Sequence, residues 1–431
     1  MKRVISFILN PNKKQQLILG HLTYATSKLW NVANYERRNW NKQSGIKYPD
    51  WYEQKKKLKD HFWYKNLPSQ TAQELLKQLD ESWKSFYKLI QTGGIENPKP
   101  PKYKYQPFNI RYLNNGFKLL DNRTLRLSIP KQLKTYLSDN FNITDKYLFI
   151  DIPVPISGTL KIVEIIPERS NKYRVNLIVE LPDAKIREDN SVYMSIDLGI
   201  NNLITAYIST GKTYIISGRQ LLSINRYFDK KIAYYKSISD SQQVAKGIKY
   251  PKQSKRVQQL YAKRQKQITH VLHTATKSII DIADRNNVCK IIIGDITNIR
   301  EDNSMGKVNN QKLHKWPFKR IKDCIKYKAE NKGITVEMQE ESYTSQCSPY
   351  TPQVAKEYAK KSNRKYRGLY KDNDNQIFNA DCVGAYNILR KYLCRIEKSI
   401  PAVVGLDTPK MYQWNSQSFI ANPKLSISME M

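Results

Sequence analysis

Two aspartates in the second half of the chain stand where a strand ends and a helix begins. Asp197 closes the strand-like run of SIDLGINN, and Asp381 opens the helix-like run of NADCVGAYNILRK. Carboxylates at the ends of central elements suit phosphodiester hydrolysis. Mg²⁺ is a hard cation that takes oxygen ligands. Two such ions, roughly 3.5–4 Å apart, activate a water and stabilise the leaving oxygen. Taken alone, an Asp before Gly199 is a common turn residue, and an Asp in a first helical turn complements the helix dipole. Their joint appearance at the expected places of one element order points to a metal site. A third acid should end the strand of IIIGDITNIRED, where Asp295 and Glu301 are the candidates. Asp295 should point away from Asp197, because strand side chains alternate with period two.

The elements that would carry these acids can be read along the chain. Residues 191–197, 203–209 and 213–217 read as three strands. Amphipathic helices follow over 220–243 and 253–286, then a buried strand at 290–293. A helix near 316–331, a strand at 334–340 and a last helix from Asp381 to about Arg395 complete the series. Strand, strand, strand, helix, strand, helix, strand, helix is the order of an RNase H-like α/β domain.

The first half differs. Residues 2–9 read as a strand and not as a signal peptide, the apolar run being short and without a small-residue cleavage site. Apolar positions recur at helical spacing from Asn12 to about Trp40, and again from Pro68-Ser69 to Ile90. The run Lys55, Lys56 and Lys57 lies between them and in isolation reads as a solvated face. Residues 95–108, IENPKPPKYKYQPF, form an extended basic segment in which Lys99, Lys102, Tyr103 and Lys104 alternate with prolines. Strands over 110–181 could join the first strand in one barrel, with the helical bundle inserted.

Charge narrows the class of partner. The 431 residues carry 73 Lys and Arg against 38 Asp and Glu, a net charge of +35. A compact chain so charged repels itself unless a polyanion is near, and nucleic acid is the natural one. The 29 tyrosines and 7 tryptophans suit stacking on unpaired bases. No apolar run is long enough to span a membrane, and five cysteines without a CxxC argue for a reducing, cytoplasmic setting.

At these motifs the chain resembles the TnpB family, transposon-encoded RNA-guided DNA endonucleases with a RuvC-type nuclease domain. NLPSQTAQELLKQLDESWKSFYK is similar to the family's N-terminal helical region, and NPKPPKYK to its basic turn. SIDLGINNLITAY, IIIGDITNIRE and RKYRGLYKDNDNQIFNADCVGAYNILRK resemble the three RuvC motifs in order. The resemblance implies an α+β multidomain chain. It has a wedge-type β-barrel at 1–11 and 95–185, a helical recognition bundle at 12–94, and a RuvC domain at 186–340 and 376–398. A nucleic-acid-binding, degenerate zinc-ribbon-like insert occupies 341–375, and an irregular tail 399–431.

Carried over, Asp197 and Asp381 match two RuvC metal ligands for Mg²⁺, with two ions expected, while the family's usual Glu is replaced by Gly294. Glu301 is then expected as a relocated third ligand, with Asp295 as its substitute. Lys55, Lys56, Lys57, Lys99, Lys102, Tyr103 and Lys104 are expected to meet nucleic acid. Relatives carry two CxxC pairs in the insert; here only Cys347 remains, with Tyr350 at its partner's position. No zinc is expected, since tetrahedral Zn²⁺ needs four ligands, and Cys347 and Cys382 read as buried small residues. His270 and His273 lie i, i+3 on a helix and read as polar contacts. The implied partners are a transposon-derived guide RNA and double-stranded target DNA, with no membrane, in a prokaryotic cytoplasm. Two other functions follow from the same residues: a nuclease-inactive RNA-guided repressor, suggested by Gly294, and a strand-transfer transposase.

Overall fold

The computed structural model describes residues 1–431 apart from 42, 44, 46, 170, 296–305, 307–309, 311, 312, 314, 367, 373 and 423–431. It divides into two compact units, Met1–Asp183 and Ala184–Met431. Glu301 lies outside the described residues.

In the first unit, β1 (Lys2–Leu9) is followed by α1 (Lys13–Arg38), α2 (Trp51–Lys57), α3 (Phe62–Lys65) and α4 (Ser69–Thr92). A capping box starts α1: Asn12 accepts from the Gln15 amide, and Gln15 reaches back to the Asn12 amide. Ile18, Leu22, Ala25 and Leu29 on α1 are buried with Ala72, Leu76, Leu79 and Trp83 of α4. Where the two helices meet, Arg37 and Asp80 form a buried ion pair of 2.8 Å.

The extended segment after α4 is strapped along α1. Trp30 Nε1 donates to the Lys102 carbonyl at 3.1 Å, Asn34 to that of Pro101 at 2.9 Å, and Asn31 to that of Lys104 at 2.9 Å. Beyond it lie β2 (Ile110–Tyr112), β3 (Phe117–Leu119), β4 (Thr124–Ser128), α5 (Lys131–Phe141), β5 (Tyr147–Asp151), β6 (Thr159–Pro167) and β7 (Tyr173–Glu180). The expected barrel is not one closed sheet. The described strands pair as a four-stranded sheet, β1-β7-β6-β2, and a three-stranded sheet, β3-β4-β5. Inward residues of both, such as Val175, Leu177, Leu125 and Ile150, share one core with the helices.

The second unit is built on a seven-stranded sheet. Its strands are β8 (Tyr193–Asp197), β9 (Asn202–Ile208), β10 (Lys212–Ser217), β11 (Lys290–Asp295), β12 (Thr335–Glu340), β15 (Lys410–Trp414) and β16 (Phe419–Ala421), in the order β12-β11-β8-β9-β10-β15-β16. β8, β11 and β12 run parallel, and β9 is antiparallel to its neighbours. Among the described residues four helices cover it: α6 (Arg219–Ala245), α7 (Lys255–Arg285), α8 (Phe318–Glu330) and α9 (Ala380–Arg395). The first three pack on one face over Met194, Ile196, Ile291 and Ile293. The last packs on the other face over Tyr193 and Ile292. The element order is the one expected of an RNase H-like domain.

The tail, expected to be irregular, carries two strands among its described residues: β15 adds in parallel to β10, and β16 returns against β15. Trp414 and Phe419 there join the α7 side of the core. The insert contains a small hairpin, β13 (Leu369–Lys371) with β14 (Ile377–Asn379). No helix among the described residues is long and apolar enough to cross a membrane.

Candidate active site

Asp197 reaches the α9 side of the sheet by strand parity. Its neighbour two residues back, Ser195, donates to the Ala385 carbonyl on α9 at 2.6 Å. This close approach depends on Gly384, where a Cβ would stand 2.7 Å from Asp197 Oδ2. Asp381 sits in the first turn of α9, its backbone amide held by the Asn379 side chain at 3.0 Å. The sequence pairing of Asp197 with Asp381 is thus a pairing in space: the charge of Asp381 is felt by Asp197.

Asp295 does not join them. Parity turns it to the α8 side, where Lys322 lies 3.3 Å away. Gly294 faces α9 instead. A Cβ built on Gly294 would overlap Glu341 Oε2 and stand 2.9 Å from Ile388 Cδ1. The Glu341 carboxylate therefore fills the place that a side chain at 294 would enter. Parallel pairing explains how it gets there. Asp295 is opposite Glu340 in the β11–β12 register, so Glu341 is the next residue beyond the paired strand ends. Sequence reasoning missed Glu341. The available signal was a glycine where an acid was wanted, with a later strand-like run followed by the acidic pair Glu340-Glu341.

The electrostatics bind these three acids together. Burial, then the charges of Glu341 and Asp381, hold the Asp197 carboxyl well above the usual range, with Arg364 opposing. Burial, then Asp295 and Glu340, push Glu341 up to about 7. Asp197 and Glu341 are short of positive charge, as expected of oxygens arranged for a cation. They are not closed to ligand distance: among the described residues no three His, Cys, Asp or Glu converge as a metal centre. Asp381 is engaged elsewhere, accepting from Asn202 Nδ2 at 2.7 Å and from Arg364 at 3.0 Å. As a donor set, three carboxylates fit a hard divalent ion such as Mg²⁺.

In the insert, the Cys347 thiol donates to the Ala355 carbonyl at 3.3 Å, and Tyr350 donates to Gln376 at 2.8 Å. Asn387 of α9 donates to the carbonyls of Thr344 and Cys347, both at 2.8 Å. Arg390 holds the Ser348 carbonyl at 3.1 Å. Cys382 is buried in α9. His273 meets the Tyr327 hydroxyl at 3.1 Å, and His270 packs edge-on against Trp414.

The basic residues of the first unit divide into two groups. Lys56, Lys99 and Lys102 are exposed. Lys55 lies over the rings of Trp51 and Tyr52, and Lys57 pairs with Glu36 at 3.0 Å. Arg38 covers the Tyr103 ring, and Lys104 lies over Trp30 and Phe108. A separate cavity of about 1570 Å³ opens in this unit, lined by His21, Tyr24, Trp63 and Tyr136 with Lys59 and Lys65.

Comparison with known proteins agrees with the element order. Residues 176–300 match a family described as "Probable transposase", and residues 318–388 match "Cas12f1-like, TNB domain". The chain is 24% identical over 418 residues to "TnpB-like protein ORF457" of Acidianus two-tailed virus, covering 89% of this chain and 85% of that one. It is 23% identical over 327 residues to "CRISPR-associated endodeoxyribonuclease Cas12f1" of Syntrophomonas palmitatica, covering 70% and 63%. Among solved structures, the protein chain of a Cas12f1–sgRNA–target DNA complex superposes with a TM-score of 0.58 at 16% identity, over 88% of this chain and 83% of that one. The fold is therefore the mixed α+β, multidomain fold of the Cas12f-type effectors. The two family matches and the viral relative together make this chain similar to the TnpB-like proteins.

Proposed function

We propose that the chain is an RNA-guided DNA endonuclease of a transposon, whose Mg²⁺ ions are held by Asp197, Glu341 and Asp381. The observation that carries this reading is the placement of Glu341 in the space left by Gly294, beside Asp197. Bound Mg²⁺ would supply an activated water and a counter-charge for the leaving oxygen. The chain's own residues do the rest. Gly384 and Gly294 admit the carboxylates between sheet and helix, and the packed β8–α9 contact fixes Asp197. Guide RNA reads the target by base pairing, and the protein reads a short flanking duplex motif. Exposed lysines and the aromatic cavity of the first unit supply contacts to phosphates and unstacked bases.

The insert keeps its fold through Asn387 and Arg390, and needs no zinc on this reading. The alternative of a nuclease-inactive, RNA-guided repressor rests on the missing acid at Gly294 and on the engagement of Asp381 by Arg364. Glu341 answers the first of these points.

The test is plasmid cleavage by the chain purified with its guide RNA in Mg²⁺. Wild type should cut target DNA, whereas Asp197→Ala and Glu341→Ala should bind it and leave it whole. Tight binding without cutting by wild type would establish the repressor. Joining of transposon ends on a gel would establish strand transfer.

A further inference from the structure

Asp381 has both carboxylate oxygens engaged, by two donors of different kind. Asn202 Nδ2 holds Oδ2 at 2.7 Å, and an Arg364 guanidinium nitrogen holds Oδ1 at 3.0 Å. Asn202 heads β9, inside the sheet. A register shift at Ile216/Ser217 sets Ser217 against Asn202 at that end of the β9–β10 pair. Such bulges re-aim side chains at sheet ends. Gly199 permits the tight return from Asp197, since a Cβ there would meet the Asn202 carbonyl at 2.5 Å. Arg364 belongs to the insert, follows a single short helical turn at Lys361–Asn363, and has a side chain 40% exposed.

We propose that Asn202 is a fixed positioning residue for Asp381, and that Arg364 is a removable internal counter-ion competing with the divalent cation for the same carboxylate. The proposal rests on the carboxylate site of the proposed function and adds its regulation. A neutral amide orients Asp381 without opposing a cation, as hydrogen-bond partners of metal-binding carboxylates do. A guanidinium beside the same oxygens repels a divalent ion, so it must leave Oδ1 before the ion is held there. Nucleic-acid phosphates offer Arg364 a bidentate alternative. Substrate that draws Arg364 away would raise cation affinity, and by linkage the cation would raise substrate affinity.

The experiment measures Mn²⁺ binding to the full chain, without nucleic acid, by electron paramagnetic resonance. Arg364→Ala should bind Mn²⁺ about five-fold or more tightly than wild type, and Arg364→Lys should resemble wild type. Asn202→Ala should bind about ten-fold or more weakly, with partial recovery in Asn202→Ser. The opposite signs are the signature, because general destabilisation would weaken both. Unchanged or weaker binding in Arg364→Ala, or unchanged binding in Asn202→Ala, overturns the proposal. Asp197→Ala and Asp381→Ala are the controls. If they bind Mn²⁺ as wild type does, the carboxylate site itself is wrong; if they lose binding, the two test variants judge this proposal alone.

Discussion

The carboxylate of Glu341 lies against the Cα of Gly294, in the volume that any side chain at that position would enter. The two residues are brought together by parallel pairing of β11 with β12, which sets Asp295 opposite Glu340. An acid absent from one strand end is thus present at the end of the next. Burial, with Asp295 and Glu340 nearby, leaves Glu341 titrating at about 7, far from an ordinary surface glutamate.

This relationship predicts an exchange. Gly294→Ala should displace Glu341 and slow cleavage, by about 100-fold if it removes a transition-state contact of about 2.7 kcal/mol. Glu341→Ala should cost at least as much. Combining Gly294→Glu with Glu341→Gly should recover a large part of the loss, since the acid then enters the same volume from the other strand. Asp295→Ala should cut nearly as wild type does. Single-turnover cleavage rates check all four, and a fully active Glu341→Ala would remove Glu341 from the site.

The insert should survive chelation. Its carbonyls at Thr344 and Cys347 are held by Asn387, and that at Ser348 by Arg390. Excess EDTA should leave the melting temperature unchanged, and metal analysis should find no tightly bound zinc. Asn387→Ala should destabilise by about 1–3 kcal/mol, because two buried carbonyls lose their donor. A melting temperature that falls on chelation and returns with zinc would contradict this.

Much of this site was legible in the residues. Asp197 and Asp381 could be placed because local signals fixed their elements: the strand-like run ending at Asp197, and the helix-like run of NADCVGAYNILRK opening at Asp381. α6 and α7 were found within a few residues because their apolar stripes are long. The placement of Glu341 was not legible, because it depends on which strand lies beside β11, a tertiary fact. α5 buries only Leu133 and Leu137, too few to show a period. β15 was missed because KMYQW is only half-buried, and pairing with β10, not alternation, makes it a strand.

The first unit should be acid-sensitive at the α1–α4 contact. Burial alone would push Asp80 up, but Lys84 and Arg37 outweigh it and hold its carboxyl below the usual 3.8. A carboxylate with a lowered folded pKa stabilises the fold above its unfolded pKa. That stabilisation is lost as pH falls below 3.8 and through the folded value. Asp80→Asn should flatten this loss. It should also destabilise at neutral pH, by about 3–5 kcal/mol if Arg37 is left as an uncompensated buried charge. Denaturant titrations at pH 7 and pH 3 measure both effects.

Nucleic-acid binding should separate the lysines by what already occupies them. Each phosphate contact releases counterions, so affinity falls with salt on a logarithmic slope that counts contacts. Lys56, Lys99 and Lys102 are exposed and free to meet phosphate. Replacing each by Ser should lower the slope by about one and leave stability alone. Lys104 is different: it lies 4.8 Å from the Trp30 ring centre and 4.3 Å from that of Phe108, and burial lowers its pKa. Lys104→Ser should lower the melting temperature, because the stem and ammonium pack on those rings, while the salt slope stays near that of wild type. Filter binding of guide RNA from 50 to 300 mM salt (about the range where such slopes are read) tests the division. A slope that drops for Lys104→Ser with the melting temperature unchanged would place this lysine on the nucleic acid instead.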